Sequence, residues 1–156
     1  MKHTQVLLAS ASPRRRRLIG WLGVTADVTA ADTAEDLSIP LDPPALAAAL
    51  AADKALAALR PTGTAAIVLA FDTIVVTGGE VLGKPADAAD ARRMLRALSG
   101  RTHEVVTGVA LLPPDARTPD TFAVTTPVAM RALADDDIDT WIARGEALGC
   151  AGAYNI

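Results

Sequence analysis

The sequence predicts an α/β fold with a mixed, twisted sheet and flanking helices. Apolar β-branched runs alternate with helical patterns over the first hundred residues, and two long strand-like runs then follow each other directly. The alternation implies parallel strands joined by helices, and the later pair implies an antiparallel addition. No internal repeat, low-complexity linker or compositional break divides the 156 residues, so a single domain is expected over 1–156.

Val6 to Ala9 is the first apolar run. Ser12 and Pro13 then supply N-cap and first-turn chemistry for a helix that Leu18, Ile19 and Leu22 make apolar on one side and Gly23 stops. From Val24 to Pro44 the pattern is irregular and acidic (Asp32, Glu35, Asp36, Asp42), which reads as a short strand and a loop. Asp42-Pro43-Pro44 opens a second, alanine-rich helix with Leu46, Leu50 and Leu56 inward, expected to end before Pro61. Ala66 to Val76 has the composition of a strand covered on both faces, with Asp72 as its one carboxylate. An unpaired buried carboxylate costs several kcal/mol, so Asp72 is expected at a break or bulge lining a cleft.

Gly78-Gly79 signals a two-residue hairpin returning through Glu80 to Gly83. Gly78, Gly83 and Lys84 imitate part of a P-loop, but Pro85 replaces the required Ser or Thr, and the glycines turn a hairpin instead of joining strand to helix. Asp87 caps a third helix with Ala91, Met94, Leu95 and Leu98 on one face, Arg92, Arg93 and Arg96 outside, and Gly100 at its end. Thr102 to Leu112 and Thr121 to Leu133 form the antiparallel pair across the turn PPDARTPD, with Pro127 disfavouring a central place for the second strand. Asp135 to Gly145 is an acidic helix with Ile138, Trp141 and Ile142 on one side, followed by a glycine-punctuated segment to Ile156.

Composition narrows the function. Formal charge is −3, hydrophobic residues are 51% with roughly a fifth of the chain alanine, and aromatics are 3%. Neither a membrane span nor an aromatic-stacking single-strand binder fits. The single cysteine, Cys150, and the absence of a signal-peptide pattern point to the cytoplasm. Charge is uneven: Lys2 and Arg14 to Arg17 place five cations and no acids in the first 17 residues. Four arginines at a helix start, where the dipole is already positive, suit a bound anion such as phosphate better than they suit the helix. Nucleic-acid binding through the same run is disfavoured by the acidic remainder and the lack of a recognisable module.

Arginines at a strand-to-helix turn, Lys54 and Lys84 at helix and loop edges, and the carboxylates Glu35 and Asp72 together suggest phosphate plus a metal ion. Hydrolysis of a phosphoanhydride needs cations for the oxygens, acids for a hard divalent ion and a base for water. His3 and His103 lack zinc spacing and Cys150 lacks a nearby histidine, so each reads as structural or exposed.

LLASASPRR (7–15), the Lys54-Ala55 helix, FDTIVV (71–76), GEVLGKP (79–85), ARRMLRALSGRTHEVVTGVAL (91–111) and GEALGCAGAYNI (145–156) occur in order. In this the sequence resembles the Maf family of nucleoside triphosphate pyrophosphatases, associated with septum-formation inhibition. The resemblance implies a Maf / inosine triphosphate pyrophosphatase-like fold and cleavage of a nucleoside triphosphate to monophosphate and pyrophosphate. It implies that Ser10, Arg14 and Arg15 face phosphate, that Lys54 and Lys84 line the cleft, and that Glu35 lies on the metal side. Asp72 matches the proton acceptor and is a candidate ligand for Mg²⁺ or Mn²⁺; Thr73 resembles the branch acting on dTTP and UTP, and is counted with the substrate-binding residues. Family members often form dimers, so a homodimer is the implied assembly. Phe71 departs from the small residue usual before the aspartate, and the family continues a few tens of residues past the AGAY block, so the chain is expected to lack that C-terminal segment. A catalytically weak nucleotide-binding regulator of septum formation is the competing expectation, and pyrophosphate release discriminates the two.

Overall fold

The computed structural model describes residues 5–31, 33–62 and 66–155, without the side chains of 60–62. Lys2, His3, Asp32 and Ile156 lie outside the described residues. Strands β1 (Val6–Ala9), β2 (Ala26–Thr29), β3 (Ile67–Thr77), β4 (Glu80–Leu82), β5 (Thr102–Leu112) and β6 (Asp120–Ala129) form one sheet. Helices α1 (Pro13–Trp21), α2 (Pro43–Thr62), α3 (Ala88–Leu98) and α4 (Asp135–Ala143) alternate with the strands, and two short 3₁₀ turns, Ala147–Gly149 and Ala151–Ala153, follow. Strand order is β2-β1-β3-β5-β6, with β4 on β3. β1 pairs in parallel with β2 and β3, while β4 pairs antiparallel with β3, so the sheet is mixed. Pro127 lies in β6, at the end of this order, an edge position of the kind that tolerates proline.

The chain forms two compact units. The first comprises residues 1–72 and 107–123, the second 73–106 and 124–156. In the first, Leu7 and Ala9 of β1, Val68 and Ala70 of β3, Ala110 and Leu112 of β5, and Ala51, Ala55 and Ala58 of α2 make the core. Alanine along α2 brings its backbone close to the strands. Gly108 is required by this closeness: a Cβ there would lie 2.0 Å from the Ala47 carbonyl oxygen. In the second unit, α3 buries Ala91, Met94, Leu95 and Leu98 with Ile138 of α4, Val75, Leu82 and Ala147. Asp87 caps α3 by accepting from Asp90 N at 2.8 Å, and the Gly78-Gly79 turn has both φ positive (57° and 83°), as a tight hairpin demands.

Three expectations need correction. α2 runs to Thr62, past Pro61: in the final turn proline forfeits one i→i−4 bond without breaking a longer ladder. β6 ends at Ala129 instead of Leu133, because Met130 N donates to Arg101 O and Leu133 N to the Ser99 hydroxyl, which draws the chain around the end of α3. β3 is unbroken through Asp72, so the buried carboxylate sits in a regular strand and not at a bulge. Its charge is met by a side chain. Among the described residues no helix is long and apolar enough to cross a membrane.

Candidate active site

The first unit contains six of the predicted residues, Ser10, Arg14, Arg15, Glu35, Lys54 and Asp72. β1 and β3 pair with Ala9 opposite Ala70, so Ser10 and the Phe71-Asp72 pair stand at the level where β1 ends and α1 begins. The carboxyl end of a parallel strand leading into a helix is where α/β sheets expose backbone N–H groups to ligands. Here the turn is tight. Ser10 N donates to Leu8 O at 3.0 Å, Ser12 N donates to Ser10 Oγ at 3.2 Å, and Ser12 Oγ accepts from Arg15 N at 3.4 Å as the N-cap of α1. Pro13 occupies the first turn, where its missing N–H is not needed.

Arg15 turns back from α1 over this loop. Its Nη1 donates to Phe71 O at 3.0 Å and to Ser10 Oγ at 3.4 Å, and its guanidinium lies 5.8 Å from the Phe71 ring centre. Burial pushes the Arg15 guanidinium below its ordinary range, opposed by the charges of Asp72 and Glu35 and assisted slightly by Arg14. Arg14, Arg16 and Arg17 are exposed on α1.

Lys54 of α2 is the hub of the acidic side. It is buried, as is Asp72 at 2% exposure. Its Nζ donates to Glu35 Oε1 at 2.9 Å and also to Asp72 Oδ1. One ammonium thus bridges a strand carboxylate and a loop carboxylate, which explains how β3 tolerates a buried charge in regular geometry. The other oxygen, Asp72 Oδ2, is buried and has no hydrogen-bond partner among the described residues. Two carboxylates on one point, one with an orphaned oxygen, fit a hard divalent ion of the Mg²⁺ or Mn²⁺ kind. Such an ion takes one or two carboxylates and completes its shell with water and phosphate oxygens, and among the described residues no third acid, histidine or cysteine joins the group.

Thr73 and Lys84 belong to the second unit. Thr73 is half-buried on β3, where strand alternation turns it to the opposite face from Asp72, and Lys84 is exposed in the Gly83-Lys84-Pro85 segment after β4. His103 is structural, as expected: it is buried, and its Nε2 and the Tyr154 hydroxyl share a hydrogen bond of 2.6 Å. Burial holds the His103 imidazole below its usual range and pushes the Tyr154 phenol up. Cys150 is also buried, its thiol donating to Glu146 O at 3.4 Å. A groove of about 580 Å³ in the second unit is lined by Leu95, Met130, Trp141 and Tyr154, and two of its charged members, Arg131 and Asp137, pair with each other at 2.8 Å. Asp136 and Arg144 also line it, and none of the predicted site residues does. Sequence reasoning missed two contacts here, the Lys54 bridge and the Phe71 carbonyl that anchors Arg15. The bridge was visible in outline, as one cation in the middle of α2 and one carboxylate in the middle of β3. A backbone acceptor has no signature in residue type.

The family model for Maf-like proteins matches residues 5–156. The chain belongs to the Maf family. Among its relatives, the dTTP/UTP pyrophosphatase of Anaeromyxobacter dehalogenans (strain 2CP-C) is 48% identical, with 97% of this chain aligned to 77% of that protein. The dTTP/UTP pyrophosphatase of Geobacter sulfurreducens is 46% identical over 100% of this chain and 81% of its own length, and that of Escherichia coli O157:H7 is 44% identical over 98% and 77%. Among solved structures, a HAM1 protein from Coxiella burnetii superposes with a TM-score of 0.57 at 19% identity, covering 81% of this chain and 72% of that one. The Staphylococcus aureus Ham1 protein gives 0.53 at 17% identity, over 81% and 71%. At such identities the likeness establishes the fold, and the Maf chain shares the mixed α/β sheet of these proteins.

Proposed function

We propose that this Maf chain hydrolyses a nucleoside triphosphate of the dTTP/UTP kind to the monophosphate and pyrophosphate. The observation that carries the reading is the Glu35–Lys54–Asp72 cluster, formed in the same unit as the Ser10–Arg15 loop. Relatives at 44–48% identity that bear the dTTP/UTP pyrophosphatase name support the substrate class.

In this reading the turn from Ser10 to Arg15 receives the polyphosphate. The helix start contributes N–H groups and a positive field, and Arg15, fixed by Ser10 and Phe71, contributes a planar donor set for phosphate oxygens. Lys54 adds positive charge to this side of the site, and Lys84 is assigned to the cleft on family resemblance. Asp72 accepts the proton of the water that attacks the α-phosphorus. Phosphoanhydride cleavage transfers no group to the protein, so positioning and charge stabilisation carry the rate. A Mg²⁺ or Mn²⁺ ion held by Glu35 and Asp72 would neutralise charge on the phosphate oxygens. Thr73 is assigned to the nucleoside side on family resemblance, and a cytoplasmic location suits a chain acting on the nucleotide pool.

The test is a panel of dTTP, UTP, CTP and 7-methyl-GTP with added Mg²⁺ or Mn²⁺, scoring pyrophosphate against orthophosphate. Pyrophosphate release with dTTP or UTP preferred is the expected result. Orthophosphate alone would make the protein a phosphatase, and binding without either product would make it a nucleotide-responsive regulator.

A further inference from the structure

The Lys54 ammonium stands where a divalent ion would be drawn. It is in contact with Asp72 Oδ1 and 2.9 Å from Glu35 Oε1, which are the carboxylates assigned to that ion, and it is buried with Asp72. A cation held on two acids lowers the charge available to any other. Like charges repel strongly where water is largely excluded, so an ammonium and a dication cannot share these oxygens without a large mutual penalty. The orphaned Asp72 Oδ2 shows that the ammonium satisfies only one side of the strand carboxylate.

We propose that Lys54 is a built-in counter-cation of the metal site. It holds Glu35 and Asp72 together while no divalent ion is bound, and it gives up their oxygens when one arrives. Lysine suits this exchange: its ammonium is a compact point charge on a flexible four-carbon stem, able to re-aim within the site, where arginine would lock both acids in a planar fork. The released ammonium is then delivered to a site holding a polyanion, so arrival of the metal and recruitment of a phosphate-neutralising cation become one event. The inference rests on the metal assignment made above and deepens it.

The chain has 3 lysines, Lys2, Lys54 and Lys84, so the ¹⁵N side-chain ammonium spectrum is simple and the Lys54 signal is assigned by its loss in Lys54→Gln. In the metal-free wild type this signal is expected to be slow to exchange with water. Mg²⁺, added to a saturation established by calorimetry, is expected to shift it and speed its exchange, and Asp72→Asn is expected to abolish the Mg²⁺ effect. In parallel, Lys54→Gln is expected to melt lower than wild type without metal, to recover more of its melting temperature with Mn²⁺, and to bind Mn²⁺ about tenfold more tightly. A Lys54 signal unmoved at Mg²⁺ saturation overturns the proposal, as does Mn²⁺ affinity in Lys54→Gln no greater than in wild type. Should Lys54→Gln fail to fold, the wild-type spectrum, with Lys54→Arg for assignment, decides alone. Calorimetry that finds no Mg²⁺ binding overturns both the metal assignment and the exchange. Pyrophosphate release by a protein whose Lys54 stays on its acids keeps the activity and removes only the exchange.

Discussion

The two units of this Maf chain handle charge in opposite ways. In the first, Lys54, Asp72 and Arg15 are withdrawn from water and few in number, and each is tied to a partner from another element. In the second, the arginines of α3 form a row of exposed pairs: Arg93 with Glu80 and Asp90 at 2.7 and 2.9 Å, Arg96 with Asp135 at 2.9 Å, and Arg92 with Asp139. Exposed pairs are screened and contribute about 0–1 kcal/mol each, whereas opening a buried pair costs about 3–5 kcal/mol. A fold under no functional demand gains little from the buried arrangement, since apolar side chains of similar volume often stabilise as well. The buried arrangement in the first unit is therefore the physical mark of a site.

The largest predicted effect is on Arg15. Arg15→Ala removes a fixed guanidinium from the phosphate-facing loop and should lower kcat/KM for dTTP by about 100-fold or more, with little change in melting temperature. A change below about threefold would place Arg15 outside the chemistry. Gly108→Ala comes next and tests packing: the methyl group would overlap the Ala47 carbonyl, so α2 must lift from β5, costing about 2–3 kcal/mol in urea unfolding. Because α2 carries Lys54, some activity should be lost with it.

Phe71→Leu is expected to have a smaller effect. The backbone carbonyl still accepts from Arg15, but the ring contact at 5.8 Å is lost, so KM should rise about three- to fivefold with kcat nearly unchanged. Phe71→Tyr should restore KM, and equal KM values in wild type and the leucine variant would reduce Phe71 to packing. Smallest is the surface of the second unit. Arg131→Ala should return the Asp137 carboxyl, which its hydrogen bond from Arg131 holds at about 2, toward its ordinary value of 3.8, visible as a shifted NMR titration. The sign follows from the lowered value: whatever stability this exposed pair adds is present at neutral pH and disappears as pH falls toward 2.

Much of this was legible before any coordinates. The 3, 4, 7 spacing in α3 identified its four buried residues, and the glycine pair at 78–79 located the hairpin, because both signals are local and steric. The limits of β6 were not legible, since they depend on hydrogen bonds to Arg101 and Ser99, far away in sequence. Asp72 shows the same divide within the site. Its cost in a buried strand was evident from composition, yet the remedy was assigned to backbone irregularity when it lay 18 residues away in Lys54. Residue type announces an electrostatic problem; only the packing of α2 on the sheet shows which group solves it.

One comparison reaches the centre of the account. Asp72→Asn and Arg96→Ala, assayed side by side for pyrophosphate release from dTTP, each lose one member of an ion pair, one buried in the first unit and one exposed in the second. The predicted result is a fall of about 100-fold or more in kcat for Asp72→Asn with its fold retained by circular dichroism, against near wild-type turnover for Arg96→Ala. Near wild-type turnover in Asp72→Asn would contradict the assignment of the buried cluster as the seat of catalysis.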